Sequence, residues 1–95
     1  PLSGLTSYWE NGSHPTSIKT IYSNNTASGP YSLAQGFGTI ASGDASHAEG
    51  DTTTASGLYS HAEGGQTIAS GEGSHAQGLY TSASNTGSCT SAYLV

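Results

Sequence analysis

Histidine and glutamate recur at fixed intervals along this chain, and their side chains are suited to acid–base or metal chemistry. His47, His61 and His75 follow one another at intervals of 14 residues, and Glu49 and Glu63 each lie two residues after a histidine. Imidazole together with carboxylate suits Zn, Fe or Ni, and the same two groups also form hydrogen-bonded pairs. The spacing predicts two adjacent columns that either hydrogen-bond to each other or hold a metal ion.

The histidines belong to a repeat of 14 residues that covers most of the chain. An Ala-Ser-Gly block begins at Ala27, Ala41, Ala55, Ala69 and, in degenerate form, Ala83. A Ser-x-Ala-x-Gly block begins at Ser32, Ser46, Ser60, Ser74 and, in degenerate form, Ser88. Such a unit is too short for two helices but suits two short strands joined by tight turns. We therefore predict an all-β parallel solenoid of about five coils, stacked about 4.8 Å apart.

Alternation along each strand separates an inner face from an outer face. Ser46, Ala48 and Gly50 are predicted to face a narrow interior, and His47 and Glu49 to face outward. In stacked coils the outward residues form two columns, which contain Leu33, His47, His61, His75 and Cys89 in the first and Gln35, Glu49, Glu63, Gln77 and Ser91 in the second. Cys89 is expected to be a buried structural thiol rather than a reactive one.

The composition excludes several classes of protein. The net charge is −5 with a single Lys, so nucleic-acid binding has no electrostatic basis. No apolar run approaches the roughly 18 residues that span a bilayer. A catalytic residue should be unique rather than copied in every coil, so we predict neither an enzyme nor a cofactor. Ser, Thr, Gly and Ala make up 54 of the 95 residues, so one roll buries little apolar surface and association of identical chains is favoured.

The motif Ala-Ser-Gly-x-x-Ser-His-Ala-Glu-Gly resembles the head repeats of trimeric autotransporter adhesins. It is also similar to the Ser-His-Ala-Glu-Gly repeats of phage tail and neck appendage proteins, and the resemblance covers residues 26 to 92. It implies a left-handed parallel β-roll, assembled as a parallel homotrimer that forms a rigid extracellular or virion fibre segment. In the adhesin heads the positions of His47 and Glu49 are usually apolar and face the trimer centre. This chain is therefore expected to have a polar interface.

The two outer columns are the predicted trimer interface, which comprises Leu33, Gln35, His47, Glu49, His61, Glu63, His75, Gln77 and Cys89. We expect a hydrogen-bonded His–Glu ladder there, since satisfied polar groups are the norm in buried surfaces. The alternative is a metal-stabilised, receptor-binding fibre head, with His47, His61, His75, Glu49 and Glu63 as candidate ligands. The turn residues Tyr31, Tyr59 and Tyr80 favour binding of a host cell-surface glycan or protein receptor if they cluster, and a passive shaft if they are scattered.

The two ends of the chain depart from the repeat. Residues 1–25 contain Tyr8, Trp9, Ile18 and Ile21 and are predicted to form an N-terminal cap or a junction to a flanking fibre segment. Residues 26–95 are predicted to form the roll and to continue beyond the C-terminus. A further alternative is an ice-binding solenoid, suggested by the aligned column of Asn25, Thr39, Thr53, Thr67 and Thr81.

Overall fold

A computed structural model of the chain describes residues 9–21 and 24–93, with side chains up to residue 91. One sheet contains seven strands, β1 (Trp9–Asn11), β2 (Ile18–Thr20), β4 (Leu33–Phe37), β6 (His47–Asp51), β8 (His61–Gly65), β10 (His75–Leu79) and β12 (Cys89–Tyr93). The other contains five, β3 (Thr26–Ala27), β5 (Ile40–Ala41), β7 (Thr54–Ala55), β9 (Ile68–Ala69) and β11 (Ser82–Ala83). No helix forms in the described ranges, so none there could cross a membrane.

Parallel pairing between successive coils builds both sheets. From β4 onward each strand pairs with the equivalent strand of the next coil, and His47, for example, lies opposite His61. Backbone amides also bond across the coil boundaries, as from His47 N to Ser60 O at 2.9 Å. The predicted all-β parallel solenoid with 14-residue coils is confirmed. The Cα positions span 46 × 26 × 12 Å, so the roll is thin.

The interior between the sheets contains small side chains, as predicted. Nine alanines, from Ala27 to Ala83, are at most 1% exposed, and the largest side chains below 2% exposure are Thr39, Thr53 and Thr67. Gly50 departs from the prediction, because it is exposed rather than interior. Its φ of 110° turns the strand, and a side chain there would collide with the Gly64 carbonyl of the next coil.

Three of the buried threonines bond within their own coils, and Thr39 donates its hydroxyl to Asn25 Oδ1 of the preceding coil at 3.0 Å. Thr53, Thr67 and Thr81 donate their hydroxyls to the carbonyl oxygens of Glu49, Glu63 and Gln77 at 3.2, 3.1 and 3.0 Å. Asn25 occupies the first position of this column, and its Oδ1 accepts from the Thr39 amide at 2.8 Å. The column therefore satisfies backbone carbonyls rather than facing solvent. The ice-binding alternative depended on an exposed column, and the structure does not provide it there.

Each coil has two corners, and each corner holds a residue with positive φ. Residues other than glycine and asparagine rarely adopt this conformation. The first corner consists of Tyr31, Ala45, Tyr59, Gly73 and Gly87, with φ between 54° and 69°. The second corner consists of Asn24, Gly38, Thr52, Gln66 and Tyr80, with φ between 55° and 67°. The corners are thus fixed by position in the coil, and the side chains they carry vary.

A β-hairpin covers the N-terminal edge of the seven-stranded sheet. Strand β1 pairs antiparallel with β2, and β2 pairs parallel with β4, which places Lys19 opposite Ala34. The Lys19 ammonium donates to the Asn25 carbonyl oxygen and reaches the Glu10 carboxylate, both at 3.2 Å. Lys19 thereby lies over the end of the interior alanine column. The cap or junction predicted for residues 1–25 stays a prediction, and Tyr8 lies outside the described residues.

Glycine at a corner should relieve backbone strain. Replacing Ala45, with φ of 54°, by glycine is expected to stabilise the fold by about 0.5–1 kcal/mol, because the relieved strain of about 1–2 kcal/mol exceeds the added entropy of the unfolded chain. The reciprocal Gly73→Ala change should destabilise by a similar amount. Urea unfolding followed by circular dichroism measures both. The control is Ala55→Gly at a buried strand position, and a loss of stability in Ala45→Gly as large as in this control contradicts the prediction.

Candidate functional site

The histidine and glutamate columns form one continuous ladder on the outer face of the seven-stranded sheet. We use "the ladder" for Gln35, His47, Glu49, His61, Glu63, His75 and Gln77. In-register pairing places equivalent side chains directly above one another. The imidazoles of His47 and His61 stack with ring centroids 4.6 Å apart, and those of His61 and His75 with 4.7 Å, both with planes inclined by 3°. The coil repeat thus determines the geometry of the ladder.

The Nε2 atoms of His47 and His61 lie between acceptors of their own coil and of the coil before, whereas His75 Nε2 is 3.6 Å from Glu63 Oε2 and has no hydrogen-bond partner. His47 Nε2 is 3.2 Å from Gln35 Oε1 and 3.5 Å from Glu49 Oε1. His61 Nε2 is 3.4 Å from Glu49 Oε2 and 3.5 Å from Glu63 Oε1. Because these neighbours are acceptors, the proton of a neutral imidazole is assigned to Nε2. The ladder alternates acceptor and donor, which offsets the repulsion between the stacked carboxylates.

The ladder is half-buried in the single chain, and its side chains are 31–36% exposed in the His–Glu pairs. Burial lowers the pKa of His47 below its ordinary value, and the adjacent His61 lowers it further. Hydrogen bonding to the Glu63 side chain lowers the pKa of Glu49, and His47 and His61 contribute in the same direction. The folded chain therefore favours a neutral imidazole at His47 and a carboxylate at Glu49.

Acidification should destabilise the fold, because both pKa values are depressed. The unfolded chain binds more protons than the folded chain below about pH 6.5 at His47 and below about pH 4.5 at Glu49. The melting temperature is expected to be highest above pH 6.5. It should fall as the pH drops through the lowered pKa values of His47 and Glu49. Circular dichroism melts between pH 8 and pH 4 test this. His47→Gln should flatten the upper part of the curve, and a melting temperature that rises on acidification contradicts the prediction.

The ladder contains two groups that could be considered for a metal ion. His47, Glu49 and His61 form one and His61, Glu63 and His75 the other, each with ligand atoms within 4.8 Å of one another. The lone pairs of stacked, parallel imidazoles point in parallel directions, whereas a shared ion about 2.0–2.1 Å from each nitrogen requires converging ones. These groups therefore do not fit a metal site within one chain. The metal alternative suggested by the sequence is a different arrangement, in which three chains supply histidine and glutamate ligands to an ion on the trimer axis.

An open groove of about 780 Å³ runs along the roll beside the ladder. Its walls and floor consist of Gln35, Glu49, Glu63, Gln77 and Ser91 with the glycines Gly36, Gly50, Gly64 and Gly78. The four glycines have φ between 108° and 111°. A side chain at Gly36, Gly50 or Gly64 would collide with the glycine carbonyl of the next coil. These positions therefore require glycine. Because glycine has no side chain, the row of glycines leaves an open groove along the roll. The repeat pattern did not predict this groove, because alternation along the strand assigned these glycines to the interior.

The predicted surface tyrosines do not form one cluster. Tyr31 and Tyr59 lie at the first corner, two coils apart, and are 72% and 63% exposed. Tyr80 lies at the second corner and is 47% exposed. Clustered tyrosines would favour receptor binding, whereas scattered tyrosines such as these favour a passive shaft. Cys89 begins β12 opposite His75 and is exposed in the single chain, and its predicted burial in a trimer interface stays a prediction.

Comparisons with protein-family models, with curated proteins and with solved structures found no match for this chain.

The groove glycines should be intolerant of side chains. Gly64→Ala is expected to cost about 3 kcal/mol or more, because the new methyl group meets the Gly78 backbone at a φ of 108°. Gly65→Ala is the matched control, since a side chain there meets only the end of the Leu79 side chain. Chemical denaturation measures the two free energies of unfolding. Equal costs for the two variants contradict the proposed role of Gly64.

Proposed function

We propose that this chain is a structural or adhesive, non-catalytic segment of a trimeric extracellular or virion fibre, such as a phage tail fibre or appendage or a bacterial surface adhesin. In this proposal the roll is left-handed, three parallel copies share one axis, and flanking fibre segments join its ends. The observation that carries the proposal is the distribution of apolar side chains. The interior holds alanine, serine and threonine, whereas the large apolar residues lie outside.

Among the residues that the structure describes, nine large apolar ones are 40–72% exposed, namely Trp9, Ile18, Tyr31, Phe37, Ile40, Leu58, Tyr59, Ile68 and Tyr80. Full burial of a side chain such as leucine, isoleucine or phenylalanine contributes about 1.5–3 kcal/mol. A single roll forgoes most of this contribution, and association of identical chains would recover it. Closed cyclic symmetry is the usual form of such association.

The backbone supports the role of a stiff segment. Each internal coil bonds to the coils on both sides through two sheets, so the rod resists bending without a large core. The scattered tyrosines favour a shaft over a receptor-binding head. The ladder supports the expectation of a polar interface, because imidazole Nε2 atoms lie 3.4–3.6 Å from the carboxylate oxygens of Glu49 and Glu63 within one chain. If the segment is adhesive, the implied receptor is a host cell-surface glycan or protein.

The oligomeric state tests the proposal. Light scattering coupled to size-exclusion chromatography is expected to give three times the 9.5 kDa mass of the chain. The melting temperature should rise with protein concentration, because association stabilises the folded state by mass action. A matched pair of variants, Tyr59→Ser on the first corner and Thr54→Ser on the five-stranded sheet, separates loss of association from general destabilisation. A folded monomer at concentrations of tens of micromolar contradicts the proposal.

A further inference from the structure

The groove and the first corner are complementary surfaces of the same chain. We propose, on the basis of the homotrimer proposed above, that the first corner of each chain packs into the groove of the next chain. Tyr31 and Tyr59 then lie against the glycine floor, and the Tyr59 hydroxyl donates to the Glu63 carboxylate of the neighbouring chain. The occupant of the groove is thus a second copy of this chain.

The groove requires an occupant with a flat apolar body and a hydrogen-bond donor. Its floor is bare backbone at Gly50 and Gly64, and its wall carries the carboxylates of Glu49 and Glu63, which are acceptors only. Each carboxylate already lies near imidazole Nε2 atoms on its other side. A phenol meets both requirements, because its ring packs on a flat surface and its hydroxyl donates to a carboxylate.

Within the described residues, a copy of this chain offers no free Lys or Arg side chain to place in the groove. The chain contains one Lys and no Arg, and its net charge is −5. Lys19 is engaged by the Glu10 carboxylate and the Asn25 carbonyl at the N-terminal end of the roll. The donors that a second copy can offer are therefore neutral. Tyr31 and Tyr59, at 72% and 63% exposure, are the two most exposed of the large apolar side chains described.

The heights of the two surfaces match in a parallel cyclic assembly, because equivalent coils of the three chains lie at the same level. Tyr31 is in the coil that supplies Gln35, and Tyr59 is in the coil that supplies Glu63. Each tyrosine thus faces an acceptor of the neighbouring chain. The coils between them carry the short corner residues Ala45 and Gly73, which lets the tyrosines project. A corner-to-groove contact uses two different patches, and three such contacts close a ring.

The same alignment predicts one unfavourable contact. Asp44 lies in the turn before β6 and is exposed, so in the trimer it would approach Glu49 of the neighbouring chain. Removing its charge should relieve this repulsion. Asp44→Asn is expected to raise the melting temperature of the trimer by about 3 °C. Asp51→Asn is the matched control, because Asp51 lies beside the second corner and its Oδ1 accepts from the Thr52 hydroxyl at 2.7 Å, which asparagine preserves.

Engineered disulfides test the contact directly. In a Cys89→Ala background, the pair Tyr59→Cys and Glu63→Cys is expected to give covalent dimers and trimers on non-reducing gels after mild oxidation. Only a disulfide between chains gives a covalent dimer or trimer on the gel, and within one chain Tyr59 lies at the first corner whereas Glu63 lies in β8. The control pair Tyr80→Cys and Glu63→Cys should remain monomeric on the gel. Circular dichroism establishes that each variant is folded.

The outcomes separate this inference from the proposed function. Cross-linking by the Tyr59 pair with none by the Tyr80 pair supports the contact. A native trimer in which only the Tyr80 pair cross-links, or neither pair does, overturns the contact and leaves the trimer intact. A monomer in light scattering overturns both proposals. If the cysteine variants fail to fold, the Asp44→Asn and Asp51→Asn pair decides, and equal melting temperatures for these two trimers overturn the contact.

Discussion

Backbone hydrogen bonding between successive coils, repeated in strict register, is the constraint on which the rest of this structure depends. Each strand from β4 to β12 lies opposite the equivalent strand of the neighbouring coil. This pairing satisfies the backbone polar groups without a thick core. At Gly36, Gly50 and Gly64 a φ near 110° directs any side chain into the backbone of the next coil, so these positions cannot carry one. The glycines of the repeat are thus a consequence of the pairing.

Stacking in register turns every position of the repeat into a column, and each column must tolerate its own copies. Inside the roll, alanine and threonine tolerate stacking on their own copies. The hydroxyls of Thr53, Thr67 and Thr81 donate to carbonyl oxygens of their own coil. Outside, stacked carboxylates would repel one another, and the interleaved imidazoles of the ladder offset that repulsion. Neutral Gln35 and Gln77 occupy the glutamate column in the coils before Glu49 and after Glu63. The two glutamates of the ladder are therefore flanked above and below by neutral glutamine side chains.

The distribution of apolar residues connects this architecture to its proposed role. A roll with an interior of small side chains leaves its tyrosines, isoleucines and Phe37 on the surface. Such a surface is suited to contact between identical rods. Because the cross-section is thin, a single chain has little interior space in which to bury these side chains. The groove along the glycines and the corner with Tyr31 and Tyr59 provide surfaces of opposite shape for that contact.

The period of the repeat alone was enough to predict the solenoid, the registers and the His–Glu columns, because identical units stacked in register must align identical residues. It did not reveal which face some residues occupy. Gly50 was assigned to the interior and is exposed, and the threonine column was considered for an exposed surface and is buried. Alternation holds only within an extended strand, whereas each coil contains a glycine with φ near 110° and two left-handed corners. Beyond such a break, the tertiary structure alone decides the direction of each side chain.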